Sequence, residues 1–332
     1  AIGRGTFPGT RLGCFDLDGS VQWTVPLPEH DYRPGDLAID PIRASVFVSS
    51  PSGVVSHDLR GPGHGGPVNV LDNNIPRETG VRDHAGAIHG SPVAISDGVA
   101  YVAAGATGHQ WMWPRLTSVH RVDLATGSVS GIAMPGPLSD NFEIHSLAVS
   151  GDTLYIGTSD GLYSHNNTAT TRLTTVRASS VVACDGGVLF SHNGYLARHD
   201  GSGLHEYGVP CHHGSRAPCV FPGPGDTVYV THDDGKSVGL SAVKLEDELV
   251  ITKITDLPHG QYPNYQTTYD TGTGLFHHVH YIPDRAYVTT LDPDAMTVSE
   301  VGFDLYQDWH GTFRDIAVVG GSLLFSTRAG IL

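Results

Sequence analysis

Lysine is scarce in this chain, and acidic side chains far outnumber basic ones. Three lysines and sixteen arginines face 34 aspartates and glutamates, which gives a formal net charge of −15 over 332 residues. Phosphate backbones and anionic lipid headgroups repel a chain of this charge, so it is not expected to offer them a broad binding surface. The sequence predicts neither a nucleic acid nor a membrane as a partner.

Long apolar runs and helical periodicity are also missing. No run of about eighteen apolar residues occurs, so the sequence holds no candidate transmembrane helix. No stretch of about a dozen residues carries apolar positions at i, i+3, i+4 and i+7. In addition, 42 glycines and 21 prolines interrupt the chain too often for long helices. Together these absences favour an all-β fold.

Cysteine is sparse as well, with four residues. Cys211 and Cys219 lie eight positions apart around a His-His-Gly-Ser-Arg segment, where a disulfide would tie a loop. Two free thiols are an alternative, and so is a metal site, although the spacing matches no common zinc pattern. Cys14 and Cys184 fall on predicted strands of different repeats and are interpreted as buried thiols.

Two features of the sequence indicate where the protein is located. The chain begins at Ala1 without an initiator methionine, which is typical of a mature protein after signal-peptide removal. Asn166-Asn167-Thr168 is a glycosylation sequon that a eukaryotic secretory route would use. We therefore expect a secreted, extracellular protein.

What the chain does contain is a segment that recurs seven times. Each copy has a short apolar run, a turn with Asp-Gly, Gly-Gly or a near relative, and a second apolar run, which is the pattern of a tight β-hairpin. The paired runs are Leu37–Asp40 with Val46–Val48, Val93–Ile95 with Ala100–Val102, Leu147–Val149 with Leu154–Ile156, Val182–Cys184 with Val188–Phe190, Val220–Phe221 with Val228–Val230, Thr267–Tyr269 with Leu275–Phe276, and Ile316–Val318 with Leu323–Phe325. Sheet-forming units at a period of about 45 residues predict a seven-bladed β-propeller. Six or eight blades, or a β-sandwich array, are the alternatives.

The ends of the chain predict how the ring closes. The last copy supplies inner strands only, whereas two unassigned strand patterns stand near the start of the chain. Residues 11–27 are therefore expected to complete the blade formed by residues 314–332, which covers sheet edges that would otherwise be exposed. On this interpretation residues 1–332 form a single propeller domain.

Histidine, tyrosine and arginine gather in two sets of loops, and in a propeller both sets meet at one face of the ring. Most of the histidines are expected in these loops and not on strands. The loops before the first strands carry His30, Tyr32, Arg33, His84, His89, His145, Arg177, His212, His213, Arg216, Tyr262, Asn264, Tyr265, Trp309, His310 and Arg314. The loops after the second strands carry Trp111, Trp113, Arg115, His192, Asn193, His232, His277, His278, His280 and Arg328. One composite site is predicted, and a polar channel filled by buried histidines is the alternative.

This set of side chains suits β-elimination on a uronic-acid polysaccharide. Arginine would neutralise the substrate carboxylate, and histidine and tyrosine would move the protons. Tryptophan rings would offer flat surfaces to the sugars. The residues expected to bind substrate are Tyr32, Arg33, Trp111, Trp113, His192, His213 and His310. We expect a monomer that binds a polysaccharide or an oligosaccharide, and no cofactor is required by this chemistry.

The predicted ring with its His/Tyr/Arg face resembles the propeller-type polysaccharide lyases that act on ulvan or on rhamnose–glucuronate linkages. The resemblance is one of architecture and covers the whole ring. It implies a secreted enzyme with histidine and tyrosine as base and acid and with arginine at the uronate. The residues that could take these roles are His89 and His145 beside the carboxylate, Tyr265 as acid/base, and Arg216 or Arg314 as carboxylate partner.

Two other functions stay open. His278 and His280 point to the same side of a predicted strand and could share a divalent ion such as Zn, Ca or Mn, with His232 as the third ligand. Such a site would fit a metal-dependent hydrolase or a biosynthetic lyase. A propeller can also bind carbohydrate without catalysing a reaction, because fold alone does not decide function.

Overall fold

The structure is a computed structural model in which every regular element is a β-strand. It describes residues 11–18, 20–26, 37–40, 42–50, 53–64, 68–72, 92–104, 117–184, 186–211, 219–233, 237–245, 249–258, 266–270, 272–282, 285–304, 313–319 and 321–327. These ranges contain 28 strands and no helix. Within them, accordingly, no helix has the length and apolar character needed to cross a bilayer.

The strands follow one another along the chain with short connections. In order they are β1 (Arg11–Asp16), β2 (Val21–Pro26), β3 (Leu37–Asp40), β4 (Ser45–Ser50), β5 (Gly53–Asp58), β6 (Val68–Asp72), β7 (Val93–Ser96), β8 (Val99–Ala104), β9 (Ser118–Asp123), β10 (Val129–Ile132), β11 (Ile144–Ser150), β12 (Thr153–Thr158), β13 (Gly161–His165), β14 (Thr170–Thr174), β15 (Ala178–Cys184), β16 (Gly187–His192), β17 (Tyr195–Asp200), β18 (Gly203–Pro210), β19 (Val220–Pro222), β20 (Thr227–Asp233), β21 (Ser237–Leu245), β22 (Leu249–Pro258), β23 (Gln266–Asp270), β24 (Leu275–Ile282), β25 (Arg285–Asp292), β26 (Thr297–Asp304), β27 (Phe313–Val319) and β28 (Ser322–Thr327).

The strands form seven antiparallel sheets of four strands each. We number these blades by chain order: β3–β6 form blade 1, β7–β10 blade 2, β11–β14 blade 3, β15–β18 blade 4, β19–β22 blade 5, β23–β26 blade 6, and β27, β28, β1 and β2 form blade 7. The first strand of each blade contacts the first strands of both neighbouring blades, from β3 round to β27 and back to β3. The prediction of a closed seven-bladed β-propeller is confirmed.

The tight turns between strands have the backbone geometry that their sequences demand. Asp97 and Gly98, between β7 and β8, have φ angles of 47° and 79°. Asn193 and Gly194, between β16 and β17, have φ angles of 51° and 84°. Two successive positive φ angles are typical of the type I′ turn, which matches the twist of the strands that it joins and favours Asn-Gly and Asp-Gly. The hairpin predicted around Asp97-Gly98 is therefore present, and Asn193-Gly194 forms a second turn of the same kind.

Blade 7 joins the two ends of the chain. Strand β1 pairs with β28 along its whole length, from Arg11 opposite Thr327 to Asp16 opposite Ser322. Strand β2 then pairs with β1 as the outer strand of the blade. The closure predicted from the unassigned strands near the start of the chain is confirmed.

The apolar core is divided into seven clusters, one between each pair of neighbouring blades. Between blades 5 and 6, for example, Phe221 and Phe276 meet edge to face with ring centroids 5.5 Å apart. Burial of each large apolar side chain contributes roughly 1.5–3 kcal/mol. Because every blade packs on two neighbours, each interface contributes to the stability of the ring.

Two serines link neighbouring inner strands through β-bulges. Register shifts in β11 and β15 place Ser146 and Ser180 within the bulged segments of their strands. Ser146 Oγ accepts a hydrogen bond of 3.1 Å from the backbone N–H of Val181, in the next blade. Ser180 Oγ accepts the backbone N–H groups of Cys219 at 2.8 Å and Val220 at 3.1 Å, again in the next blade. A bulge re-aims a side chain, and here it supplies acceptors for N–H groups of the following blade.

Replacement of Leu12 by alanine tests the closure of the ring. Leu12 is fully buried on β1 in the cluster between blades 7 and 1, so Leu12→Ala should lower the free energy of unfolding by about 3 kcal/mol. Val21 lies on the neighbouring strand β2 and is 56% exposed, so Val21→Ala serves as the control and should change stability little. Urea unfolding of both variants measures the difference, and equal small effects would contradict the pairing of β1 with β28.

Candidate functional site

One end of the ring carries the loops that precede the first strands and follow the second strands. We call this end the upper face. Ala178, at the start of β15, lies opposite His192, at the end of β16. Gln266, at the start of β23, likewise lies opposite Val279, near the end of β24. Side chains at these strand ends in different blades therefore meet at the same face.

Nine of the residues predicted from sequence for the site lie outside the described residues. They are His89, Tyr265, Arg216, Tyr32, Arg33, Trp111, Trp113, His213 and His310. Arg314 lies at a register shift in β27, but its side chain is also outside the described part. These assignments stay predictions. The described residues of the predicted set are His145 on β11, His192 on β16, His232 on β20, and His278 and His280 on β24.

The expectation that most histidines lie in loops is wrong. Eleven of the twenty are on strands: His57, His120, His145, His165, His192, His199, His205, His232, His277, His278 and His280. Two of them, His277 and His278, are buried and hydrogen-bonded to a threonine on the neighbouring strand. The apolar runs that marked the strands in sequence are shorter than the strands themselves, which extend into the adjoining polar residues. The alternative of buried histidines inside the ring thus accounts for part of the set.

His192 forms the most distinctive polar contact of the described upper face. Its Nδ1 lies 2.7 Å from Oε1 of Glu206 on β18, the outer strand of the same blade. The imidazole is 9% exposed and the carboxylate 58% exposed. Phe190 packs edge-on against the imidazole with centroids 6.0 Å apart. Buried His192 Nε2 has no hydrogen-bond partner among the residues that the structure describes.

The chemistry of this pair follows from its geometry. When Nδ1–H donates to the carboxylate of Glu206, the lone pair of the ring is on Nε2. A carboxylate that fixes the tautomer and orientation of an imidazole is the arrangement found around general bases. Sequence reasoning placed His192 at this face but missed Glu206. Only the strand register brings Glu206 near His192. Glu206 lies opposite Ala197 on β17, and Ala197 lies opposite Phe190, two residues before His192 on β16.

Blade 6 contains a polar row that crosses all four of its strands. Thr267, His278, Thr289 and Glu300 lie directly opposite one another from β23 to β26. Thr267 Oγ1 and His278 Nδ1 are 3.0 Å apart, and Thr289 Oγ1 donates to Glu300 Oε2 at 3.3 Å. The first three of these side chains are buried. The row stabilises polar groups inside the interface between blades 5 and 6.

The other face of β24 carries His277. Its Nδ1 is 3.0 Å from Thr290 Oγ1 on β25, and the side chain is 1% exposed. Burial lowers the pKa of His277 to about 4, and the negative charge of Asp270 opposes the shift. His280, which stacks on the ring of Tyr287 at 5.3 Å, also has its pKa lowered by burial. Both imidazoles are therefore neutral near pH 7.

The three histidines predicted as metal ligands do not form a metal-binding group among the described residues. His278 and His280 do point to the same side of β24, and their rings stack with centroids 5.9 Å apart. His232, however, is exposed near the end of β20 in the neighbouring blade. In the part of the chain that the structure describes, no three His, Cys, Asp or Glu side chains form a group that could hold a metal ion. The imidazoles of β24 are instead held by threonine and by aromatic stacking.

All four cysteines are free thiols. The disulfide expected between Cys211 and Cys219 is absent, and the alternative of two thiols holds, although these two side chains are hydrogen-bonded to each other. Cys14 is buried as predicted, whereas Cys184 is only partly buried. Cys14 belongs to the apolar cluster between blades 7 and 1, whereas Cys184 packs against the cluster between blades 4 and 5.

Comparison with known proteins places the chain among propellers without naming its family. No protein-family profile and no curated protein matches it. The extracellular domain of a putative hybrid two-component system from B. thetaiotaomicron superposes with a TM-score of 0.59 at 13% identity, over 92% of this chain and 38% of that chain. This chain therefore spans less than half the length of that protein.

Two further solved structures cover their own chains more fully. A catalytically inactive virginiamycin B lyase from Staphylococcus aureus, with quinupristin, has a TM-score of 0.54 at 13% identity over 87% of this chain and 86% of that one. A putative 6-phosphogluconolactonase from Bacteroides fragilis has a TM-score of 0.57 at 10% identity over 90% and 95%. Identities this low show the fold alone, and the names of these structures describe different activities. The protein is a seven-bladed β-propeller whose function must come from its own site.

The depressed pKa of His277 predicts a loss of stability in acid. Between about pH 6.5 and 4 the unfolded imidazole binds a proton that the folded one does not, so stability is full above this window and falls as the pH drops through it. The loss from this residue reaches about 3 kcal/mol at pH 4. His277→Asn should reduce the pH dependence by that amount, whereas His64→Gln, at an exposed bend, should not. Urea unfolding at a series of pH values measures both, and identical profiles would contradict the burial of a neutral His277.

Proposed function

We propose that this protein is a secreted lyase that cleaves a uronic-acid polysaccharide by β-elimination. The contact between His192 and Glu206 carries the proposal, because it orients an imidazole near the upper face whose buried Nε2 has no hydrogen-bond partner among the described residues. General-base catalysis requires such a group within hydrogen-bond reach of the proton that it removes. The partners predicted from the sequence for the same face are Tyr265, Arg216 and Arg314.

Each group has a defined part in the proposed reaction. His192 Nε2 takes the proton from C5 of the uronate, and the electrons of that C–H bond form the C4–C5 double bond. The bond from C4 to the glycosidic oxygen breaks, and Tyr265 donates a proton to the leaving oxygen. An arginine on the substrate carboxylate makes the C5 proton acidic enough to remove. The products are an unsaturated uronate end and a free hydroxyl.

Arg177 is a described candidate for the carboxylate partner. It directly precedes Ala178, which lies opposite His192, and its side chain is exposed. Guanidinium matches a carboxylate with two parallel hydrogen bonds, which an ammonium group cannot do. The Asn193-Gly194 turn fixes the strand end on the other side of His192. Arg177 and His192 thus belong to paired strand ends of blade 4, and we propose that one sugar ring contacts both.

Replacement of His192 tests the proposed base. His192→Ala should lower kcat/KM on the cleaved polysaccharide by about 10²–10⁴, the usual contribution of general-base catalysis. Glu206→Gln should cause a smaller loss, mainly in kcat, because the amide still holds the ring but no longer stabilises its protonated form. His199→Ala, on β17 of the same blade, is the matched control and should keep full activity. Ultraviolet absorbance of the unsaturated product measures all four proteins.

The absorbance assay, together with binding and hydrolysis assays, separates the alternative functions. Full activity of His192→Ala would assign the base to another residue and contradict the proposed role of the pair. If the wild-type protein binds uronate oligosaccharides but produces no unsaturated product on a broad panel, the propeller is a carbohydrate-binding protein. If it hydrolyses a lactone or ester and loses that activity on chelation, it is a metal-dependent hydrolase, and the β-elimination proposal fails.

A further inference from the structure

Two cysteines meet at the upper face between blades 4 and 5. Cys211 directly follows β18, and Cys219 directly precedes β19. Their side chains are 0% and 1% exposed, and both belong to the apolar cluster between these blades. The two thiols are hydrogen-bonded to each other. Residues eight positions apart in sequence are thus brought into direct sulfur contact by the packing of two blades.

The backbone holds each cysteine in place. The N–H of Cys211 donates to the carbonyl oxygen of Gly194 at 2.8 Å. The N–H of Cys219 donates to Ser180 Oγ at 2.8 Å, and its carbonyl oxygen accepts from Thr231 N–H at 2.9 Å. Because both backbones are anchored, the sulfur contact does not depend on the chance approach of two mobile side chains.

The surroundings of the two sulfurs differ. Hydrogen bonds from Cys211, Ser180 and Ser191 lower the pKa of Cys219, although its burial opposes this. The hydrogen bond to Cys219 and burial raise the pKa of Cys211. The hydrogen bonds to Cys219 thus stabilise a negative charge on its sulfur, whereas burial and the hydrogen bond to Cys219 disfavour one on Cys211. An asymmetric pair of this kind supplies a nucleophilic thiolate and a second thiol that resolves the oxidised intermediate.

We propose that Cys211 and Cys219 form a redox pair that closes to a disulfide when the protein meets hydrogen peroxide. The Cys219 thiolate attacks one peroxide oxygen, the O–O bond breaks, and the released hydroxide takes up a proton to become water. The sulfur of Cys211 then attacks the sulfenic acid on Cys219, its proton goes to the departing hydroxide, and a second water leaves. Two thiols are oxidised and one peroxide is reduced to two waters. This proposal is independent of the lyase activity.

Mass mapping of the wild-type protein tests the pair. The reduced protein is treated with hydrogen peroxide, unfolded in an alkylating agent and digested. We expect the peptides of Cys211 and Cys219 to appear linked, two hydrogens lighter than the sum of the free peptides, and to separate again after dithiothreitol. Cys14 and Cys184 should be recovered alkylated. The midpoint of thermal unfolding should rise by a few degrees in the oxidised protein.

Single variants identify the attacking sulfur. In Cys211→Ser, peroxide should convert Cys219 to a sulfenic acid that dimedone traps, whereas in Cys219→Ser the remaining Cys211 should react at least tenfold more slowly. Equal rates would overturn the assigned asymmetry. Recovery of all four cysteines as alkylated thiols after peroxide treatment, or a linkage through Cys14 or Cys184, would overturn the redox pair itself. If a variant fails to fold, peptide mapping and thermal unfolding of the wild-type protein still test the redox pair.

Discussion

Face-to-face packing of neighbouring blades is the constraint on which this structure depends. No blade has a core of its own, because each apolar cluster takes side chains from two adjacent sheets. In the seventh blade, β1 pairs with β28 and covers an edge of β28 that would otherwise be open. The ring in turn fixes which strand ends meet at the upper face. The chemistry of the site is therefore a consequence of closure.

Polar groups inside the blade interfaces also depend on contacts with neighbouring strands. A buried imidazole is tolerated when a neighbouring strand supplies a hydroxyl or a carboxylate at the right register. His278 with Thr267, His277 with Thr290, and His192 with Glu206 are three cases. In the first two pairs the partner is a neutral hydroxyl, and the contact joins two neighbouring strands of the sheet. Among the described histidines, His192 alone combines an anionic partner with a buried Nε2 that has no hydrogen-bond partner in the described part of the chain, which makes it our candidate for catalysis.

The sequence predicts the architecture more completely than the site. Hairpins follow from short apolar runs and from turns such as Asp97-Gly98, and blade 7 follows from strand patterns without a partner near the start of the chain. Glu206 could not be found this way, because its contact with His192 depends on a register shift between β17 and β18. Alternation along β24 correctly placed His278 and His280 on one side, but nothing in the sequence shows that His278 Nδ1 lies against Thr267.

The central claim is that the closed ring presents His192 Nε2, oriented by Glu206, to a uronate. A crystal structure of the protein with a uronate oligosaccharide tests it most directly. The account predicts the sugar at the upper face beside blade 4, with C5 of the uronate within about 3.5 Å of Nε2 and the Nδ1 contact to Glu206 intact. An oligosaccharide bound elsewhere on the ring, or a His192 whose Nε2 donates to the protein itself, would contradict it.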